Sequence, residues 1–229
     1  MKRILRLLMY AILGAITGLS VSAIAVRNDG FRMDEIYFWI GIAALLLSII
    51  MIVVSIYMYR TLMTVSGDYT KYMDMDAYDI YRYNKFNDLQ VANTFSLISA
   101  AIAVAILIVL ETSLILVAAA GIVYLFTVWL AIKSSGIMRK LYPDRDLPKA
   151  GDKDYAEKLL AASDEGERHI ILNGLYKSYN LMQVALFTGI ILLIFYSIIT
   201  GESQIFSIIL IGVIMIISQL KYSLEIREK

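Results

Sequence analysis

Six apolar runs, each close to the length that crosses a bilayer, constrain this chain more than any other feature. A hydrocarbon core of about 30 Å takes about 20 helical residues at about 1.5 Å each. Runs of that kind occupy 4–26, 36–58, 91–110, 113–132, 181–200 and 205–220. The third and fourth form one stretch interrupted only by Glu111 and Thr112, so the chain must fold back there. The fifth and sixth are separated only by Gly201, Glu202, Ser203 and Gln204. The expected fold is all-α: an integral membrane protein whose six transmembrane helices form three hairpins, with amphipathic cytoplasmic helices between them. The expected organisation is a first hairpin over 1–58, a cytoplasmic segment plus second hairpin over 59–132, and a cytoplasmic segment plus third hairpin over 133–229.

Composition excludes the soluble alternatives. Hydrophobic residues make up 59% of the 229-residue chain and charged ones 18%, with a mean hydropathy of +0.70. Globular domains run near 45–50% and 25%, and a soluble body of this composition would lack the polar surface to cover itself. The net charge of +1 provides no field to attract a polyanion, so nucleic acid is not an expected partner. Cysteine is absent, which removes disulfides, thiolate metal ligands and thiol nucleophiles. Lys2 and Arg3 ahead of the first run, and Ala23-Ile24-Ala25 at its end, resemble a signal peptide. The run exceeds the usual core of about 7–15 residues, so it is read as a retained span.

Charge placement sets the expected orientation. If the spans alternate, the amino terminus, segments 59–90 and 133–180 and the carboxyl tail share one side. That side holds 19 of the 21 basic residues; Arg27 and Arg32 are on the other. The positive-inside rule then puts both termini and both long segments in the cytoplasm, in a bacterial cytoplasmic membrane. The outer turns carry acids: Asp34, Glu35, Glu111 and Glu202. Tyr37, Phe38 and Trp39 open the second run, and Trp129 closes the fourth, as interfacial anchors do.

The second and third hairpins read as parallel repeats. Tyr83-Asn-Lys-Phe-Asn-Asp-Leu-Gln-Val-Ala92 aligns without a gap to Tyr176-Lys-Ser-Tyr-Asn-Leu-Met-Gln-Val-Ala185. Asn87 matches Asn180 and Gln90 matches Gln183. Upstream, Gly67-Asp68 resembles Gly151-Asp152, and Glu111-Thr112 resembles Glu202-Ser203. An even number of spans per unit makes the copies parallel, unlike inverted transporter repeats. These eight positions, Gly67, Asp68, Asn87, Gln90, Gly151, Asp152, Asn180 and Gln183, are the candidate functional positions. Gly14, Gly18 and Ser22 recur every four residues in the first span and suit close helix packing.

Locally, 76–92 lacks Gly and Pro and reads as a helix feeding the third span; Ile80, Tyr83, Asn87 and Val91 lie on one face. Asp74-Met-Asp-Ala-Tyr-Asp79 lacks the ligand pattern of a calcium loop and reads as a solvated acidic face. Pro143 and Pro148, the only prolines, mark an irregular linker. A short helix over 154–162 follows. Ser163 is expected to cap a helix that runs on through Tyr179 into the fifth span. His169, the one histidine, has no Ser, Cys or acid constellation around it and reads as a surface or interface residue.

No Asp, Glu, Lys, Arg or His lies within the spans away from their ends, whereas such residues mark proton relays and ion pathways. No phosphate loop, zinc-protease helix or nucleophile elbow occurs, and no cofactor or metal site is expected.

The stretch Leu141-Tyr-Pro-Asp-Arg-Asp146, then Gly151-Asp152, then Ser163-Asp-Glu-Gly-Glu-Arg-His-Ile-Ile-Leu-Asn-Gly-Leu-Tyr-Lys-Ser-Tyr179 resembles a domain-of-unknown-function family of six-span membrane proteins from Gram-positive bacteria. Ser163 stands where that family has cysteine, so no thiol chemistry transfers. The resemblance implies a bacterial cytoplasmic-membrane protein and supplies no activity.

The reading favoured by tiny outer turns, charge-free spans and two ordered cytoplasmic segments is non-enzymatic. It is an accessory, immunity or regulatory partner of another membrane system such as a peptide exporter. The expected partners are the lipid bilayer and a membrane protein or a second copy of the chain. A small transporter or channel with a polar path at the duplicated Asn-x-x-Gln helices is the alternative. A membrane enzyme using Asp68 and Asp152 is the third reading.

Overall fold

The computed structural model describes residues 33–65, 75–142, 145, 147–148 and 151–227. The first span, with Gly14, Gly18 and Ser22, lies outside the described residues, as do Gly67 and Asp68. Among the described residues every regular element is a helix: α1 Met33–Val65, α2 Met75–Val109, α3 Leu114–Ser135, α4 Ile137–Leu141, α5 Tyr155–Ala162, α6 Glu165–Thr200 and α7 Ile205–Arg227. Five of them, α1, α2, α3, α6 and α7, are long and apolar enough to cross a membrane.

Length explains how polar and apolar segments share one helix. α2 has 35 residues and α6 has 36. At about 1.5 Å per residue each spans more than 50 Å, well beyond a core of about 30 Å. The excess is the polar first half of each, 75–90 and 165–180. The expected continuity of these halves with the third and fifth apolar runs is what the structure has. α6 begins one residue later than expected: Asp164, not Ser163, is its N-cap. The Asp164 carboxylate accepts from the Glu167 N–H at 2.7 Å, and the Glu167 carboxylate accepts from the Asp164 N–H at 3.3 Å. This reciprocal pair satisfies two N–H groups that an uncapped helix leaves open.

The chain divides into two compact units. One is Gly30–Ala162; the other contains Ser163–Lys229.

In the first unit α1, α2 and α3 pack side by side. α1 turns one face to α2, on which Gly41, Ser48, Ser55 and Leu62 recur every seven residues. A Cβ built on Gly41 would meet Ile106 Cγ2 at 3.1 Å, so glycine is what lets the two backbones approach there. Ser48 and Ser96 meet across the same interface, with their hydroxyl oxygens 3.3 Å apart, and Ser96 donates to the Ser48 carbonyl at 3.2 Å. Toward the other end, Leu62, Leu89, Ile137 and Leu141 form a buried cluster, which fixes the short α4 against α1 and α2. The α2–α3 turn closes through Glu111, whose φ of 49° is left-handed. Thr112 caps α2 there, with both its N–H and its hydroxyl donating to the Leu107 carbonyl.

In the second unit, α6 and α7 form a hairpin. Gly201 makes the turn at φ 75°, a conformation that costs glycine little. Its N–H donates to the Ser197 carbonyl at 3.0 Å.

Candidate functional site

The chemistry available to a helix bundle depends on which polar side chains it buries, because an unpaired polar atom in an apolar interior is costly. In the three-helix unit the buried polar side chains are Ser48, Ser55, Arg82, Asn93, Ser96, Ser99, Thr127 and Ser134. Most are hydroxyls, as the sequence suggested. Two are not, and both organise their surroundings.

Asn93 is the first. It lies on α2 one helical turn past Gln90 and donates to the Ser134 hydroxyl on α3 at 2.6 Å. Ser134 in turn donates to the carbonyl of Ala131 at 3.0 Å. The amide oxygen of Asn93 is buried without a partner, as is the Ser55 hydroxyl oxygen.

The α6–α7 hairpin has the same device. Gln183 on α6 donates to the Ser218 hydroxyl on α7 at 2.9 Å, and Ser218 donates back to the Met215 carbonyl at 3.0 Å. Nearby, the Tyr179 hydroxyl donates to the Gln219 side chain at 2.8 Å, and the Tyr179 and Tyr222 rings stack at 5.3 Å. Each hairpin thus joins its two helices by an amide-to-serine bond in which the serine also bonds its own helix. Gln183 takes part; in the α2–α3 hairpin the bridging amide is Asn93, one turn past Gln90, the residue that aligns with Gln183 in the sequence.

Arg82 is the second organising residue, at the end of the unit where α4 docks. Its guanidinium donates to the Leu141 carbonyl and lies 4.6 Å from the Tyr142 ring centre and 5.2 Å from that of Tyr78. Asp79 adds an ion pair at 3.7 Å. Arg145 lies 5.1 Å from the Tyr142 ring centre, so Tyr142 is shared by two arginines. A planar guanidinium suits such stacking while keeping its donors free for hydrogen bonds. Arg82 ties the chain at 141–142 to α2. The i, i+3 and i, i+4 spacings of Asp79 and Tyr78 to Arg82 were readable in the sequence; the contacts to 141–142, some sixty residues away, were not.

Asn87 and Asn180 are exposed, and Gln90 is half-buried. Gly151 takes a left-handed φ of 97° and, with Asp152, forms the turn that opens α5. The Asp152 carbonyl accepts from the Tyr155 N–H at 3.2 Å, and its carboxylate faces Lys158 at 3.9 Å. His169 is exposed on the first turns of α6. At the opposite end of the three-helix unit from Arg82, an open cleft of about 580 Å³ is bordered by Asp34, Glu35, Phe38, Val109, Leu110, Glu111 and Thr112. Its three carboxylates are exposed, and no cluster able to hold a metal ion occurs among the described residues.

A family model described as a protein of unknown function (DUF3169) matches residues 1–226. No curated protein matches the chain, and no solved structure does.

Proposed function

We propose that this chain, which belongs to the DUF3169 family of proteins of unknown function, is a non-enzymatic accessory, immunity or regulatory partner of another membrane system, such as a peptide exporter. In this reading it crosses a Gram-positive cytoplasmic membrane six times, as three hairpins with both termini in the cytoplasm. The basic count of 19 to 2 supports that orientation.

The observation that carries the reading is the use made of the polar side chains between helices. Ser48 with Ser96, Asn93 with Ser134 and Gln183 with Ser218 bond across helix interfaces. Amides and hydroxyls used this way hold helices together. They leave broad apolar helix faces outward, such as Leu114, Ile115, Ile122 and Leu125 on α3. A body packed by polar bonds and clad in apolar faces suits lateral association within a bilayer. The transporter alternative places Gln183 at a polar vestibule, and its bond to Ser218 supports the packing role instead. Affinity purification from native membranes in mild detergent tests the proposal: a stoichiometric membrane partner supports it, and a clean monomer counts against it.

A further inference from the structure

We propose that the end of the three-helix unit where α4 docks is a binding face for anionic phospholipid, with Lys133, Arg139 and Lys140 taking the headgroup. Burial and one hydrogen bond hold α4 in place. Ile137 and Leu141 are buried in the cluster with Leu62 and Leu89, and Arg82 bonds the Leu141 carbonyl. With two of its five residues pinned inward, α4 presents Arg139 and Lys140 to the outside; both are exposed. Lys133, also exposed, closes α3 one turn earlier.

Among the described residues these three cations are not neutralised locally. From Ala131 to Tyr142 the sequence has no acid, and none of the three has a carboxylate partner among the described residues. On α2, Asp79 pairs with Arg82 at 3.7 Å and Asp88 is exposed beside Leu89 in the chain; Asp144 and Asp146 lie outside the described residues.

Depth and shape select the ligand. Lys133 Nζ lies 4.6 Å from the Trp129 ring centre and 5.8 Å from that of Tyr59, and indole and phenol rings favour the headgroup level. Ile115, Ile122, Leu125, Trp129 and Ile132 follow one another on one exposed side of α3 that runs toward Lys133. The last ten residues of that stripe cover about 15 Å, the thickness of one leaflet's hydrocarbon. An apolar stripe that ends at these cations matches a diacyl lipid with an anionic head. A free phosphate has no use for the stripe, and a zwitterionic lipid has little use for the cations.

Quenching of Trp129 by lipids with brominated acyl chains tests this. The full chain carrying Trp39→Phe has Trp129 as its sole tryptophan. It is reconstituted in phosphatidylcholine vesicles containing either brominated phosphatidylglycerol or brominated phosphatidylcholine. A basic residue near an anionic surface strengthens binding by roughly five-fold, so phosphatidylglycerol should be favoured by at least that factor at low salt. K133Q/R139Q/K140Q should bring the ratio near one, with circular dichroism unchanged, and R139K/K140R should keep the preference. Equal quenching by the two lipids, a preference that survives K133Q/R139Q/K140Q, or a preference lost in R139K/K140R overturns the proposal. Displacement of phosphatidylglycerol by millimolar inorganic phosphate also overturns it, in favour of a free-anion site. No quenching by either lipid contradicts it as well, because Trp129 is then not at a lipid surface at all.

Discussion

Asn93 on α2 donates to the Ser134 hydroxyl on α3 at 2.6 Å while its own amide oxygen has no partner. The bond is therefore asymmetric in what each side chain stands to lose. Ser134→Ala strips the Asn93 amide of its acceptor and leaves a buried polar group unsatisfied, which costs about 1–3 kcal/mol. Asn93→Leu removes a donor and an orphaned acceptor together, and Ser134 keeps its bond to Ala131. Asn93→Leu is expected within about 1 kcal/mol of the parent, and Ser134→Ala is expected to be the more damaging. Because that cost vanishes once Asn93 is replaced, a double-mutant cycle should return it as the coupling, about 1–3 kcal/mol. Thermal unfolding in detergent measures all three. Equal losses for the two single variants would contradict the asymmetry.

Arg82 is the tether of the segment that follows α3. Arg82→Met removes a charge-assisted hydrogen bond to Leu141, worth about 1.5–3 kcal/mol, and the stack on Tyr142. Its expected effect is faster tryptic cleavage after Arg139 and Lys140, read on the purified chain by mass spectrometry. Arg82→Lys should restore little of the protection, because an ammonium lacks the planar fork that bonds and stacks at once. Cleavage at the parent rate in both variants would show that α4 is held by Ile137 and Leu141 alone.

Orientation is testable cleanly because the chain has no cysteine of its own. Single cysteines at Glu111 and Glu202, in the two tight turns, should react with a membrane-impermeant maleimide added to intact cells. Cysteines at Glu157 and Ser135 should react only after permeabilisation. The reverse pattern would place the basic segments outside and contradict the positive-inside assignment.

Much of the fold was legible, and the reason is local. Helices α1, α2, α3, α6 and α7 each contain an apolar run long enough to stand out against any flanking sequence. The unbroken passage of 76–92 into the third run followed from the absence of Gly and Pro. The polar organisation was less legible because it depends on residues far apart in the chain. Asn93 sits three residues from Gln90, and the sequence repeat drew attention to the glutamine; only packing against α3 shows which amide meets a serine. Arg82 resembled its exposed basic neighbours until the chain at 141–142 folded over it. Short α4 had no periodicity of its own, and Gly136 together with the burial of Ile137 and Leu141 defines it.

The role proposed for this chain is association with another membrane protein or with a second copy of itself. The direct measurement is affinity purification of the tagged full chain in mild detergent from its native membrane, after crosslinking in intact cells, with the stoichiometry of every co-purifying protein determined. A defined adduct with one multi-pass membrane protein or with a second copy of the chain is expected. A chain recovered as an uncrosslinked monomer, or one that alone moves a solute across a proteoliposome, would contradict it.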